Sequence, residues 1–396
     1  MRKFFLLLSL LFCSVSNFTF SQYPTDSARI YLITASPGRE TYAAFGHSAL
    51  RVVDQSKGYD YVYNWGTFDF DTENFYLKFG TGKLLYFLSI NHDFYSFIEY
   101  YHMVGQAIYL QEIMLTNKEK FNLMNNLDIN YREENRSYRY DFFRDNCATR
   151  IRDIIVKSVD GKVVFDSSYV EKRESIRHLF GDYLKNEPWN YFGLNLIMGK
   201  STDSIASLTD YMYLPGHLQN MFASAKVVDA NGTRKLTKQP LELFPSTIKV
   251  HKPSGMSTPV AICAIILLIL GALTIWEYGS KKYFKGVDVI LFLITGLLGV
   301  LITWLWGWSL HIYVHSNLHI IWASPLNLVG AACLMICSKM KWVGYYFAAY
   351  ALSVILFIMV SFFVIQEFHL ASYFLMGAMI VRAGSLFLRQ RSQLSQ

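Results

Sequence analysis

The chain has 396 residues, of which 52% are hydrophobic, 16% aromatic and only 17% charged. That length accommodates two domains, and that composition excludes a disordered or fibrous protein. The formal charge of +7 forms no Lys/Arg stripe interleaved with aromatic residues, so no nucleic-acid partner is expected.

Residues 1–22 read MRKFFLLLSLLFCSVSNFTFSQ. Arg2 and Lys3 form a basic start, residues 4–12 an apolar stretch too short to span a bilayer, and small polar residues follow. This is the pattern of a signal peptide. Cys13 follows Phe12, where a lipid-attachment site would require a small residue.

Residues 23–250 then alternate strand-like and helix-like stretches, an α+β pattern without regular βαβ repetition. Stretches 48–53 and 59–65 are β-rich around the turn residues Lys57 and Gly58, and 107–115 reads as a further strand. Helical spacing runs through 118–130 and 147–158, where Ile151, Ile154 and Ile155 share a face. The stretch 231–257, broken by Pro240, Pro245 and Pro253, reads as a tether.

From residue 258 the chain turns apolar in five runs, about 258–278, 286–307, 323–338, 343–365 and 370–388, most near membrane-spanning length. Lys281, Lys282 and Lys285 follow the first run, Lys339 and Lys341 the third, and Arg389 and Arg391 the fifth. The gaps after the second and fourth hold no Lys or Arg. That alternation predicts the basic loops in the cytoplasm and the N-terminal domain outside. The organisation expected is signal peptide 1–22, exported domain 23–250, linker 251–257 and an all-α transmembrane domain of about five helices over 258–390.

Cysteine usage points to chemistry. Of five cysteines, Cys13 belongs to the signal peptide and Cys263, Cys333 and Cys337 to the apolar runs. Cys147 is left alone in a domain sent to an oxidising compartment, without a disulfide partner. Asn146 suits a helix N-cap, which places the thiol in the first helical turn. There the free N–H groups, the helix dipole and nearby Arg144 favour thiolate, and the same N–H groups could hold an oxyanion. Such a nucleophile needs a base. Among His47, His92, His102, His178, His217 and His251, only His47 sits in a small-residue approach to a strand, AAFGHSAL (43–50). The others read as surface or core histidines.

Three stretches together, FGHSALRV (45–52), YNWGTFDFDTENFYLKFGTGKLLYFLS (63–89) and RDNCATRIRD (144–153), resemble a Bacteroidota membrane family associated with lipoprotein N-acylation, the Lnb-type N-acyltransferases. More broadly, His before Cys resembles the circularly permuted papain-like superfamily, which includes NlpC/P60 peptidases and lecithin:retinol acyltransferase (LRAT)-like enzymes. The resemblance implies a thioester route without cofactor or metal. Cys147 would take an acyl chain from a phospholipid donor, His47 would serve as base, and the acceptor would be the α-amino group of a diacylated lipoprotein. Both substrates would lie in the outer leaflet of the cytoplasmic (inner) membrane.

For the residue that orients the imidazole, Asn64 on the neighbouring strand is the first choice, with Asp69 and Asp54 as alternatives. Tyr63, Trp65 and Phe68 are candidates to shape an acyl groove, and stretch 75–88, with Lys78 and Lys83, reads as either a membrane-surface segment or a buried amphipathic helix. Gly199-Lys200-Ser201 imitates a phosphate loop, but Gly193 stands one residue too far upstream. His311, His315 and His319 would share one helical face; lacking a nearby carboxylate or Cys they read as substrate contacts, His315 foremost, rather than metal ligands. The competing functions are a phospholipase or cell-wall peptidase with the same Cys–His pair, and a non-catalytic membrane scaffold.

Overall fold

A computed structural model describes residues 24–249, 253, 255–337 and 340–393. The signal peptide with Cys13, residues 251, 252 and 254 of the linker, His251 among them, and Lys339 lie outside the described residues.

Strands β1 (Arg29–Ala35), β2 (His47–Asp54) and β3 (Tyr59–Thr67) form an antiparallel meander. A short helix α1 (Phe75–Gly80) leads to β4 (Leu85–Asn91), then α2 (Phe94–Met103) to β5 (Ile108–Ile113). Helix α3 (Asn117–Tyr131) starts on a capping box between Thr116 and Glu119. Strand β6 (Ser137–Arg139) precedes helix α4 (Cys147–Ser158). Further on, β7 (Lys162–Val164), β8 (Lys226–Asp229) and β9 (Gly232–Lys235) make a small sheet. Strand β10 (Leu241–Phe244) completes a seven-stranded sheet of order β10-β5-β1-β2-β3-β4-β6.

Strand alternation sorts the side chains into two layers. Leu50, Val52, Tyr63 and Trp65 pack with Ile151 and Ile155 of α4 and Leu123 of α3. Ala49, Val62 and Leu110 pack on the opposite face against Phe94 and Phe97 of α2. The expected tether is largely folded: β9 and β10 lie within it, and Thr237 bridges Ile113. Its prolines stand outside both strands, so they leave the ladders intact.

Five apolar stretches of membrane-crossing length follow, so the chain is an α+β domain joined to a multi-pass membrane domain. Leu268, Ile269 and Ile275 of the first span, Pro259–Ser280, face outward, which suits lipid contact and not a water-soluble core. The second and fourth spans are Lys285–Trp308 and Lys341–Ser361, and the fifth helix runs Leu370–Gln393. The third helix, Leu326–Ile336, falls within the expected run 323–338. Within Ile312–Ile336 only Leu326–Ile336 is α-helix, preceded by two 3-10 turns, Ile312–Val314 and Leu318–Ile321. Buried side-chain amides explain how this irregular backbone is satisfied. Asn327 Nδ2 donates to the Trp322 carbonyl at 3.0 Å, and Gln366 Oε1 accepts from the Leu318 N–H at 2.8 Å.

The first, second and fifth spans are tied by one buried charge cluster. Arg382 donates to Asp288 at 2.6 Å and to Glu277 at 2.8 Å, and Arg389 reaches Glu277 at 3.0 Å. Removing one member of such a cluster strands a buried charge. Arg382→Met is expected to destabilise the membrane domain by roughly 3–5 kcal/mol. Thermal unfolding in detergent checks this; an unshifted transition would contradict it.

Candidate active site

Two glycines shape the ground around the imidazole. Gly46 has φ 78°, and a Cβ there would sit 2.5 Å from the Ala35 carbonyl oxygen, so only glycine permits this approach into β2. His47 follows as the first residue of β2, paired with Ala35. Across the sheet, Leu50 opposes Tyr63, a register that sets His47 level with Gly66 and Ala49 level with Asn64. Gly66 has φ 91°, and a Cβ there would stand 3.8 Å from Cys147 Cβ and 3.9 Å from His47 Cε1. The β3–β4 ladder is irregular between Asn64 and Thr67, so a bulge without a side chain stands where thiol and imidazole meet.

His47 Nε2–H donates to Asn64 Oδ1 at 2.6 Å. This places the proton on Nε2 and leaves the other ring nitrogen for the thiol, with which His47 also hydrogen-bonds. Tyr101 of α2 stacks on the imidazole, ring centroids 6.3 Å apart and planes 13° from parallel. Asp54 does not compete for the ring. It accepts hydrogen bonds from Thr25, Ser27 and Ser56 at the far end of β2. Asp69 lies in an exposed turn, accepting from the Asp71 N–H.

Cys147 opens α4. The Asn146 side chain accepts from the N–H groups of Ala148 (3.0 Å) and Thr149 (2.9 Å), and Thr149 Oγ1 accepts from the Asn146 N–H at 2.8 Å. Burial pushes the Cys147 thiol up. The charge and hydrogen bond of His47 and the backbone N–H groups of Ser48 and Ala148 outweigh that and hold it below the ordinary thiol range. For His47, burial favours the neutral ring, but the thiolate and the Asn64 hydrogen bond hold it above the ordinary imidazole range. Both directions favour a thiolate–imidazolium pair.

Several expected site residues take other positions. Tyr63 and Trp65 are 1% and 0% exposed, too buried to touch a substrate, and the Trp65 indole donates to Asn130 at 2.8 Å. Strand alternation is the reason, because Asn64 shows one face of β3 and its two neighbours the other. Asn146 also donates to the carbonyls of Phe142 (2.9 Å) and Tyr213 (2.8 Å). Its amide is fully used as a cap rather than offered to substrate, and the Thr149 N–H is taken by that cap. Arg144 turns to the membrane domain, donating to the Tyr313 hydroxyl at 3.3 Å; it is not among the groups that lower the thiol's pKa.

His311, His315 and His319 do not share a face. His311 bonds the Phe79 carbonyl, His315 the Ser309 carbonyl at 2.8 Å, and buried His319 accepts from the Trp322 indole. The segment forms two 3-10 turns and no continuous α-helix, which is the cause. His315 instead borders a cleft of about 280 Å³ with Lys200, Ser201 and Ser204, where the two domains join. There Gly199 N–H donates to the Tyr313 carbonyl at 2.7 Å, and a Cβ on Gly199 would meet the His315 carbonyl oxygen at 1.9 Å.

Two neighbours of the thiol escaped sequence reasoning. Tyr101 arrives on α2 across the sheet, and Tyr140 lies close enough that the thiolate helps raise its pKa, after burial as the main cause. No local motif marks either tyrosine.

The family model of the Lnb N-terminal periplasmic domain matches residues 15–179, and that of the Lnb transmembrane domain matches residues 251–393. No curated protein and no solved structure matches the chain. The two models cover most of the chain in the expected order, and the chain belongs to the Lnb family.

Proposed function

We propose, on the premise of that membership, that the protein is a lipoprotein N-acyltransferase of the inner membrane, with its catalytic domain in the periplasm. The observation that carries this reading is the Cys147–His47–Asn64 arrangement, with Asn64 Oδ1 2.6 Å from His47 Nε2, on a domain docked against five apolar spans. The order of histidine before cysteine fits a circularly permuted papain-like enzyme.

Cys147 thiolate attacks an ester carbonyl of a membrane phospholipid. The C–O bond breaks, His47 gives its proton to the departing alkoxide, and a lysophospholipid leaves. The α-amino group of a diacylglyceryl-cysteine lipoprotein then attacks the thioester. His47 takes up the amine proton, an amide forms and the thiol is regenerated. Asn64 holds the ring orientation through both halves. Water in place of the amine would make the same pair a phospholipase.

Intact-protein mass spectrometry of the enzyme in phospholipid tests the reading. A fatty-acyl increment removable by hydroxylamine is expected, and a diacylated lipopeptide should discharge it with acylation of the peptide amine. Discharge only to free fatty acid would make the protein a lipase. No adduct with any phospholipid would remove the central intermediate and favour a peptidase.

A further inference from the structure

The connection from β3 to β4 exposes large apolar side chains on the protein surface: Phe70 is 65% exposed, Tyr76 84%, Leu77 55% and Phe79 53%. Single exposed residues of this kind are ordinary, but a contiguous group signals a partner surface. The group is fixed rigidly to the outer end of the second span. Ser309 Oγ donates to the Gly80 carbonyl at 2.8 Å, the Leu310 N–H to the Thr81 carbonyl at 2.9 Å, and a Cβ on Gly80 would meet the Trp304 ring at 3.3 Å. Trp308, the last residue of that span, is itself 64% exposed. Tryptophans at a span end mark the membrane–water boundary, so α1 is held at that level and its apolar side chains continue the lipid-facing surface of the span.

Behind the exposed group, aromatic rings continue inward. Phe75 lies 5.8 Å from Phe68, Phe68 lies 5.1 Å from Tyr86, and Tyr86 stacks on Tyr140 at 4.4 Å. Tyr140 packs against the buried cluster to which Cys147 belongs. An aromatic run thus connects the boundary to the nucleophile.

We propose that residues 68–85 form a membrane-inserted lip of the active site. Tyr76, Leu77 and Phe79 sit among outer-leaflet acyl chains, and the donor phospholipid's chain reaches Cys147 along Phe75, Phe68, Tyr86 and Tyr140. The occupant is a phospholipid acyl chain because the lip continues the surface of a membrane span. The entry route rests on the acyl-transfer reading; the insertion of the lip does not.

The first test is depth. Tyr76→Cys, in full-length protein with Cys147→Ser and with Cys263, Cys333 and Cys337 replaced by Ala, is labelled with an NBD fluorophore in phosphatidylcholine vesicles. Blue-shifted emission, quenched by lipids brominated along the chain, is expected; water-like, unquenched emission overturns the lip. The second test is kinetic, with Tyr76→Glu/Leu77→Glu in otherwise native protein. Acylation of Cys147 from dioleoyl phospholipid vesicles should fall at least about tenfold, while acetylation by p-nitrophenyl acetate stays unchanged. An unchanged vesicle rate, or equal loss with both esters, overturns the route. If native Cys147 takes an acyl group from neither ester, the acyl-transfer reading fails, and the depth measurement still decides the lip.

Discussion

Cys147→Ala should carry no acyl group after incubation with phospholipid and should lose lipopeptide N-acylation by on the order of 10³-fold or more, the scale of removing a covalent nucleophile. The fold should survive, because the Asn146–Thr149 capping box that starts α4 is untouched. Cys147→Ser separates chemistry from shape. Its hydroxyl has no lowered pKa to exploit, so any acyl group it acquires is an oxygen ester resistant to hydroxylamine. Wild-type rates from Cys147→Ala would place the nucleophile elsewhere.

His47→Ala should act through the pH profile as well as the rate. Burial disfavours the Cys147 thiolate, and the His47 charge is the largest influence opposing it. Without the imidazole, burial is opposed only by the Ser48 and Ala148 N–H groups, so the midpoint for alkylation by iodoacetamide should move upward. In the wild type, reactivity should rise through a midpoint below the ordinary thiol range. His47 is held above the ordinary imidazole range, so the imidazolium that protonates the leaving alkoxide persists into neutral pH, and acyl transfer should decline only as His47 loses its proton. These midpoints belong to the coupled pair rather than to either residue. Loss of the acid–base partner should slow acyl transfer by roughly 10²–10⁴-fold. Asn64→Ala removes only the 2.6 Å contact; it should lower the alkaline limit and cost less than His47→Ala. An unshifted alkylation midpoint in His47→Ala would break the proposed pair.

Much of the candidate site is legible locally because its parts carry local signals. A helix start with a capping asparagine identifies Cys147, and a small-residue strand entry identifies His47. Asn64 follows from strand adjacency, because antiparallel neighbours share a face at matched register. Tyr63 and Trp65 show the limit of that reasoning. They flank Asn64 in sequence, yet the period of two sends them into the opposite layer. Tyr101 and Tyr140 reach the site from α2 and from the segment after β6, and no spacing rule connects either to Cys147.

By itself the sequence determined the α+β domain ahead of five apolar stretches, the single cysteine of that domain and the histidine suited to serve it. These follow from hydrophobic periodicity, charge alternation and cap chemistry, which act over a few residues or one helix turn. Tertiary structure decided which groups face the thiol, that Asn146 is consumed as a cap, and that much of 231–257 joins the sheets. It also decided that two 3-10 turns precede the third helix and that the histidines of the 309–325 segment part company. Those outcomes depend on buried donors and acceptors finding partners far along the chain, such as Asn317 Nδ2 on the Leu196 carbonyl at 2.8 Å. A buried polar group must be paired wherever the partner lies, and local sequence does not encode where that is.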